Sequence, residues 1–154
     1  MQSYILKGAN IYGDNEFEYK DIVVKDGIIQ EICDKAKESE YNLPSIQLGK
    51  NDFVIPGFID IHIHGSHGAD VMDADVDALD VISKSIHSHG VTSYLATTMT
   101  ASNENILKSM QAVAEYTAIQ HRQRAKIVGI HLEGPFISPG KIGAQNHNYL
   151  QGAD

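Results

Sequence analysis

Three residues in this sequence have the types and placing that metal chemistry requires: His62, His64 and Glu133. His62-Ile63-His64 closes a β-rich run, Phe58-Ile59-Asp60-Ile61-His62-Ile63. Side chains alternate across a strand, so residues two apart point the same way. Their Cα atoms are then about 6.6 Å apart, at a rise of roughly 3.3 Å per residue. Two imidazoles so placed can converge on one cation, each nitrogen about 2.0–2.1 Å from it. His-x-His alone is a weak signal for a metal. Glu133 follows a later strand at its C-terminal end, between Leu132 and Gly134-Pro135. Carboxylates are rarely buried unless paired or metal-bound, and an isolated one here would be a solvated strand-end acid. Two imidazoles and a carboxylate suit zinc, iron or manganese better than magnesium.

A control for the spacing lies in the same chain. His87-Ser88-His89 repeats the pattern at the end of an expected helix. Residues two apart on a helix differ by about 200°, so those rings diverge. They read as surface histidines near a helix C-terminus, where a protonated ring suits the dipole. His67 and His121 fall in loop or helix-end positions and receive no role. Thr97-Thr98 reads as packing of β-branched residues. The loop from Ser138 to Asn146 carries Gly140 and Gly143, which permit close backbone approach to a ligand.

The elements that must hold these residues differ in rhythm along the chain. From Tyr4 to about Asp52 the pattern is short strands and turns. Asp21–Lys25 and Ile28–Ile32 flank Asp26-Gly27, a dipeptide that favours a type I′ hairpin turn. Ser45–Leu48 alternates as a further strand. From Phe53 onward strands and helices alternate. A helix is expected from about Asp75 to His89, with Val76, Leu79, Ile82 and Ile86 at helical spacing and Gly90 as a left-handed cap. Val91–Ala96 is the next strand. Ser102 caps a second helix running to about His121, with Ile106, Met110, Val113 and Ala114 on one face. Lys126–Leu132 is the third strand. This alternation implies parallel pairing. His62, His64 and Glu133 then share the carboxyl ends of the strands, where α/β barrels build their sites. A (β/α)8 barrel needs eight strands and about 250 residues, so a barrel here would be incomplete. The rival is a small open doubly wound sheet.

Composition limits the partners. The 154 residues, 42% of them hydrophobic, allow an ordinary core, and the net charge of −8 argues against a nucleic-acid surface. Five aspartates between Asp70 and Asp80 read as a solvated loop and helix start. No apolar run reaches the roughly 20 residues a membrane helix needs. The first residues lack the pattern of a secretory signal. The single cysteine, Cys33, cannot make an internal disulfide, which fits a reducing, cytoplasmic setting.

Four segments together resemble a known family. Val54 to Gly65 is similar to the first-strand signature of the amidohydrolase superfamily. Gly129-Ile130-His131-Leu132-Glu133-Gly134-Pro135-Phe136, Gly90-Val91-Thr92-Ser93-Tyr94 and Lys141-Ile142-Gly143-Ala144-Gln145-Asn146 narrow the resemblance to the N-acetylglucosamine-6-phosphate deacetylase family. The resemblance implies a partial (β/α)8 TIM barrel, its first three strands within 54–154, preceded by N-terminal strands of a small β-sandwich in 1–53. It implies a cytoplasmic homodimer in the full-length enzyme. Glu133 would be the metal ligand shared by all members, and His62 and His64 ligands of a second metal position. Some relatives lack that pair and use one metal, so one or two ions per site are open. Ala144 and Gln145 match substrate-contacting positions, although some relatives carry histidine in place of Gln145.

The implied reaction is metal-dependent hydrolysis of the acetamido group of N-acetylglucosamine 6-phosphate, giving glucosamine 6-phosphate and acetate. The family's proton-shuttle aspartate, two further histidine ligands and phosphate-binding groups are expected beyond Asp154. No catalytic residue is therefore assigned within the chain, which is expected to be inert by itself. Two other readings remain: a dihydroorotase- or deaminase-like enzyme, which a bridging carboxylated lysine on a fourth strand would favour whereas Glu133 on the third favours the deacetylase, and a non-enzymatic binding module that folds as an open sheet.

Overall fold

Asp26 and Gly27 both take positive φ, 53° and 77°, and turn the chain between two antiparallel strands as the dipeptide predicts. The computed structural model describes residues 2–13, 15–36 and 38–152. It divides into two compact units, Met1–Pro56 and Gly57–Asp154.

The first unit is a mixed sheet. β1 (Tyr4–Tyr12), β2 (Phe17–Lys25) and β3 (Ile28–Cys33) pair antiparallel in sequence. A short helix, α1 (Glu38–Tyr41), precedes β4 (Ser45–Gln47). β4 and β5 (Phe53–Val54) both pair parallel with β1. Ile5, Val23 and Ala36 pack on one side, and Ala9, Ile22 and Val24 form a second cluster. The Asp21 carboxylate is buried where β1 bulges, and it accepts from the amides of Gly8 and Ala36, both at 2.9 Å. Both carboxylate oxygens thereby have partners, as a buried acid requires.

The second unit alternates strand and helix. β6 (Phe58–Ile63) leads through a hairpin, β7 (Gly65–Ser66) and β8 (Ala69–Asp70), to α2 (Val76–His87). Next come β9 (Val91–Thr97), α3 (Asn103–Ile119) and β10 (Lys126–His131). The three long strands form a parallel sheet with β9 in the centre. Leu79, Ile82 and Ile86 of α2 meet Val113 and Tyr116 of α3 and Tyr94, Ala96 and Ile127 of the sheet in one core.

The acidic run is explained by the helices it serves. Asp70 accepts from the Met72 amide and Asp73 from the Asp70 amide, a reciprocal cap. Asp75 caps α2 and Asp77 lies in its first turn. Negative charge at a helix N-terminus is favoured by the dipole. Asp80 faces Arg124, which donates through Nε and Nη2 at 3.0 and 3.1 Å, and Tyr116 donates at 3.1 Å.

Two expectations are adjusted. The buried face of α3 is Ile106, Ser109, Ala112, Val113 and Tyr116, whereas Ala114 is exposed. Steps of three and four from Ile106 lead to Ser109 and Val113, and Ala114 falls one position off that line. The first strands are also longer than the alternation suggests, because Lys7, Gly8 and Lys20 interrupt their apolar pattern inside β1 and β2.

Candidate metal centre

β6 and β10 deliver the three singled-out residues to one point. His62 is the penultimate residue of β6 and His64 follows that strand, so alternation turns both rings the same way. Glu133 lies two residues past β10. His62 Nε2 is 3.3 Å from His64 Nε2 and 3.0 Å from Glu133 Oε2. His64 Nε2 is 2.9 Å from the same oxygen. No other group of three or more metal-capable side chains converges in this way among the described residues.

These separations fit a shared cation. With bonds of about 2.0–2.2 Å, ligand atoms lie roughly 2.9 Å apart at a right angle and about 3.4 Å apart at the tetrahedral angle. The observed edges of 2.9 to 3.3 Å fall between those limits. The donor set, two nitrogens and one carboxylate oxygen, is one that can hold a divalent metal ion.

A supporting group settles how the His64 ring faces. Thr97 is fully buried at the end of β9. Its carbonyl lies 3.3 Å from His64 Nδ1. A carbonyl only accepts, so Nδ1 carries the hydrogen and Nε2 is left for the centre. The Thr97 hydroxyl accepts from the Ile63 amide at 2.9 Å, tying β6 to β9 between the two histidines. Asp60 accepts from the His62 amide at 3.0 Å. His131 packs against His62 with ring centroids 4.5 Å apart, and its Nδ1 meets the Ile61 carbonyl at 3.1 Å.

A cavity of about 420 Å³ opens beside the three residues, lined also by Met99, Ile137 and the loop Lys141–Gln145. Ala144 and Gln145 thus share a cavity with His62, His64 and Glu133. The Gln145 amide is partly engaged: Oε1 accepts from the Thr100 amide at 2.7 Å, and Nε2 points to Met99 Sδ at 3.6 Å. One N–H remains for a ligand. His87 and His89 are exposed and line different surface depressions, as their helical spacing predicts. Thr98 is buried packing.

Sequence reasoning assigned nothing to Thr97, Met99 or His131 in this centre. His131 was legible, since it precedes Glu133 by two residues, the same interval that links His62 to His64. The Thr97 carbonyl was not, because a backbone acceptor has no residue signature.

A parallel α/β sheet that gathers an imidazole–carboxylate cluster at its carboxyl ends can hold a metal ion where α/β barrels build their sites. Residues 53–151 match the amidohydrolase family, and the chain belongs to it. N-acetylglucosamine-6-phosphate deacetylase of Bacillus subtilis (strain 168) is 36% identical over 156 residues, covering 99% of this chain and 39% of the relative. N-acetylgalactosamine-6-phosphate deacetylase of Escherichia coli O157:H7 is 37% identical over 97 residues, 60% of this chain and 24% of the relative. The crystal structure of N-acetylglucosamine-6-phosphate deacetylase from Pasteurella multocida superposes with a TM-score of 0.85 at 29% identity, covering 99% of this chain and 39% of that one. The chain therefore spans about two fifths of the length of the first of these relatives and of the solved structure.

Proposed function

We propose that this chain forms the first part of an N-acetylglucosamine-6-phosphate deacetylase, hydrolysing the acetamido group of that sugar phosphate to an amine and acetate. The convergence of His62, His64 and Glu133 within one cavity carries the reading. In this reading β6, β9 and β10 are the first three strands of a (β/α)8 barrel. The sheet of residues 1–53 is part of a small β-sandwich. The assembled enzyme is a cytoplasmic homodimer.

Glu133, His62 and His64 hold one or two divalent cations, zinc, iron or manganese. Such a cation, when bound, supplies Lewis acidity to an amide carbonyl and to water. The chain's own groups do the rest of what this part of the site offers. The Thr97 carbonyl fixes the tautomer of His64. The loop Lys141–Gln145 walls the substrate against the centre. Ala144 and the free N–H of Gln145 meet the sugar, while Met99, Ile137 and Ile142 give an apolar lining from which water is displaced. The leaving amine must receive a proton, a task for a positioned acid. Glu133 is taken up as a ligand, so that acid is assigned to the aspartate expected beyond Asp154.

The similarity to an N-acetylgalactosamine-6-phosphate deacetylase favours one second reading, the C4 epimer as substrate. The test is acetate release from both sugar phosphates, with zinc, iron or manganese. The 154-residue chain is assayed alone and then with the remaining segment of the Bacillus subtilis relative supplied as a second polypeptide. The expected result is no turnover alone, and metal-dependent turnover of the glucosamine epimer with the segment. Robust turnover by the chain alone would contradict the placement of the missing acid. Turnover of the galactosamine epimer only would select the second reading.

A further inference from the structure

His62 has no hydrogen bond at Nδ1 among the described residues, in contrast to His64, whose Nδ1 is held by the Thr97 carbonyl. Metal-binding histidines are ordinarily oriented by a bond at the other ring nitrogen. The His62 side chain is also the more exposed of the two, at 46% against 32%. Something else must therefore hold its ring.

The neighbour that can do so is His131. Its ring meets the His62 ring edge to face, with centroids 4.5 Å apart and planes at 73°. The opposite neighbour, His64, is farther, at 5.2 Å. His131 is itself anchored, because its Nδ1 lies 3.1 Å from the Ile61 carbonyl, which can only accept. That bond ties a β10 side chain to the β6 backbone one residue before His62. It crosses a gap that the sheet does not pair, since β6 and β10 each pair with β9 and not with one another.

We propose that His131 is a positioning residue of the metal centre: anchored to Ile61 by its Nδ1–H, its ring is the wall that keeps His62 Nε2 turned toward Glu133. This rests on the reading of His62, His64 and Glu133 as metal ligands. His131 acts through His62 and touches neither substrate nor cation. A supporting ring two residues before a ligand also explains why the interval His-x-Glu accompanies His-x-His here: each strand end presents two side chains on the same face.

The test is cobalt(II) titration of the 154-residue chain against a competing chelator. The His62 ring is followed in parallel by long-range proton–nitrogen NMR without metal. His131→Ala removes the wall, and its cobalt affinity should fall about 10–100-fold, the usual cost of losing an outer support. Its urea midpoint without metal serves as the control for folding. His131→Phe keeps a ring edge but loses the anchor, and should recover part of the loss. The His62 ring signals should shift in the alanine variant and shift less in the phenylalanine variant. Affinity in His131→Ala within about threefold of wild type, or no recovery by His131→Phe, would overturn the proposal. If the alanine variant does not fold, the phenylalanine variant decides. Binding within about tenfold of wild type supports the proposal, and a loss beyond about 100-fold overturns it. Two further outcomes separate this idea from its foundation. A wild-type chain that binds no cobalt, or a Glu133→Gln variant that binds it normally, removes the metal reading and the proposal together. Loss of cobalt in Glu133→Gln with no effect in His131→Ala leaves the metal reading intact and removes the proposal alone.

Discussion

At the scale of single residues the centre combines groups of two kinds. His62, His64 and Glu133 present ligand atoms, while Thr97 spends both its polar groups on placing them. Thr97→Val keeps the volume but removes the acceptor of the Ile63 amide. An amide left without a partner beside a buried position costs roughly 1–3 kcal/mol. Urea denaturation of the variant should show that loss, and Thr97→Ser should restore most of it. An unchanged midpoint in Thr97→Val would mean that the Ile63 amide finds another partner. Replacing both His62 and His64 by Asn should lower the metal content of the chain. Unchanged stoichiometry would make the pair structural. The ligand candidates were legible in the sequence because imidazole and carboxylate are chemically distinctive and period two fixes their direction. The backbone carbonyl of Thr97 and the half-engaged amide of Gln145 were not, since both depend on which loops meet.

At the scale of elements, the turn after β10 sets where Glu133 stands. Gly134 has φ of 84°, and a Cβ there would drive into the Thr100 side chain. Gly134→Ala therefore combines backbone strain with a collision. A cost of roughly 1–3 kcal/mol is expected from the backbone alone, together with weaker metal retention, because Glu133 is the preceding residue. Thermal melting with and without zinc checks both. Farther from the centre, Asp80 joins α2 to α3 and to the segment before β10 through Tyr116 and Arg124. The Arg124 guanidinium holds the Asp80 carboxyl below its ordinary value, and the Tyr116 hydroxyl adds to this against the effect of burial. A depressed carboxyl contributes stability that is complete above its unfolded value, near 3.9, and is lost as pH falls through the folded value. Asp80→Asn should therefore destabilise the chain near neutrality, by roughly 1–3 kcal/mol. The difference from wild type should shrink in acid below about pH 4. A difference that is constant with pH would assign the loss to packing. Helical spacing placed α2 and α3 correctly, and the Asp26-Gly27 turn placed the β2–β3 hairpin. Ala114 was misplaced on α3, where small residues carry little directional signal, and Tyr116 was overlooked although it lies ten residues after Ile106.

At the scale of the whole molecule, the chain divides into two compact units, Met1–Pro56 and Gly57–Asp154. Their strand orders were not legible, because the parallel pairing of β4 and β5 with β1 joins segments more than thirty residues apart. Both units present apolar surface. β3 is an edge strand with Ile28, Ile29 and Ile32 exposed, and in the other sheet Ile59, Ile61 and Val128 are exposed while β6 and β10 are edges. Open edges with apolar faces invite pairing with another chain. Sedimentation of the purified chain should show self-association that the remaining segment of a relative relieves. A stable monomer at micromolar concentration would contradict this. The central claim, that His62, His64 and Glu133 hold a catalytic divalent cation, is tested most directly by elemental analysis of the chain after loading and exhaustive dialysis, for wild type and for Glu133→Gln. The account predicts about one equivalent or more of zinc, iron or manganese in the wild type, and almost none in the variant, because losing one charged ligand weakens a site built on few protein donors. Equal metal content in the two proteins would contradict it.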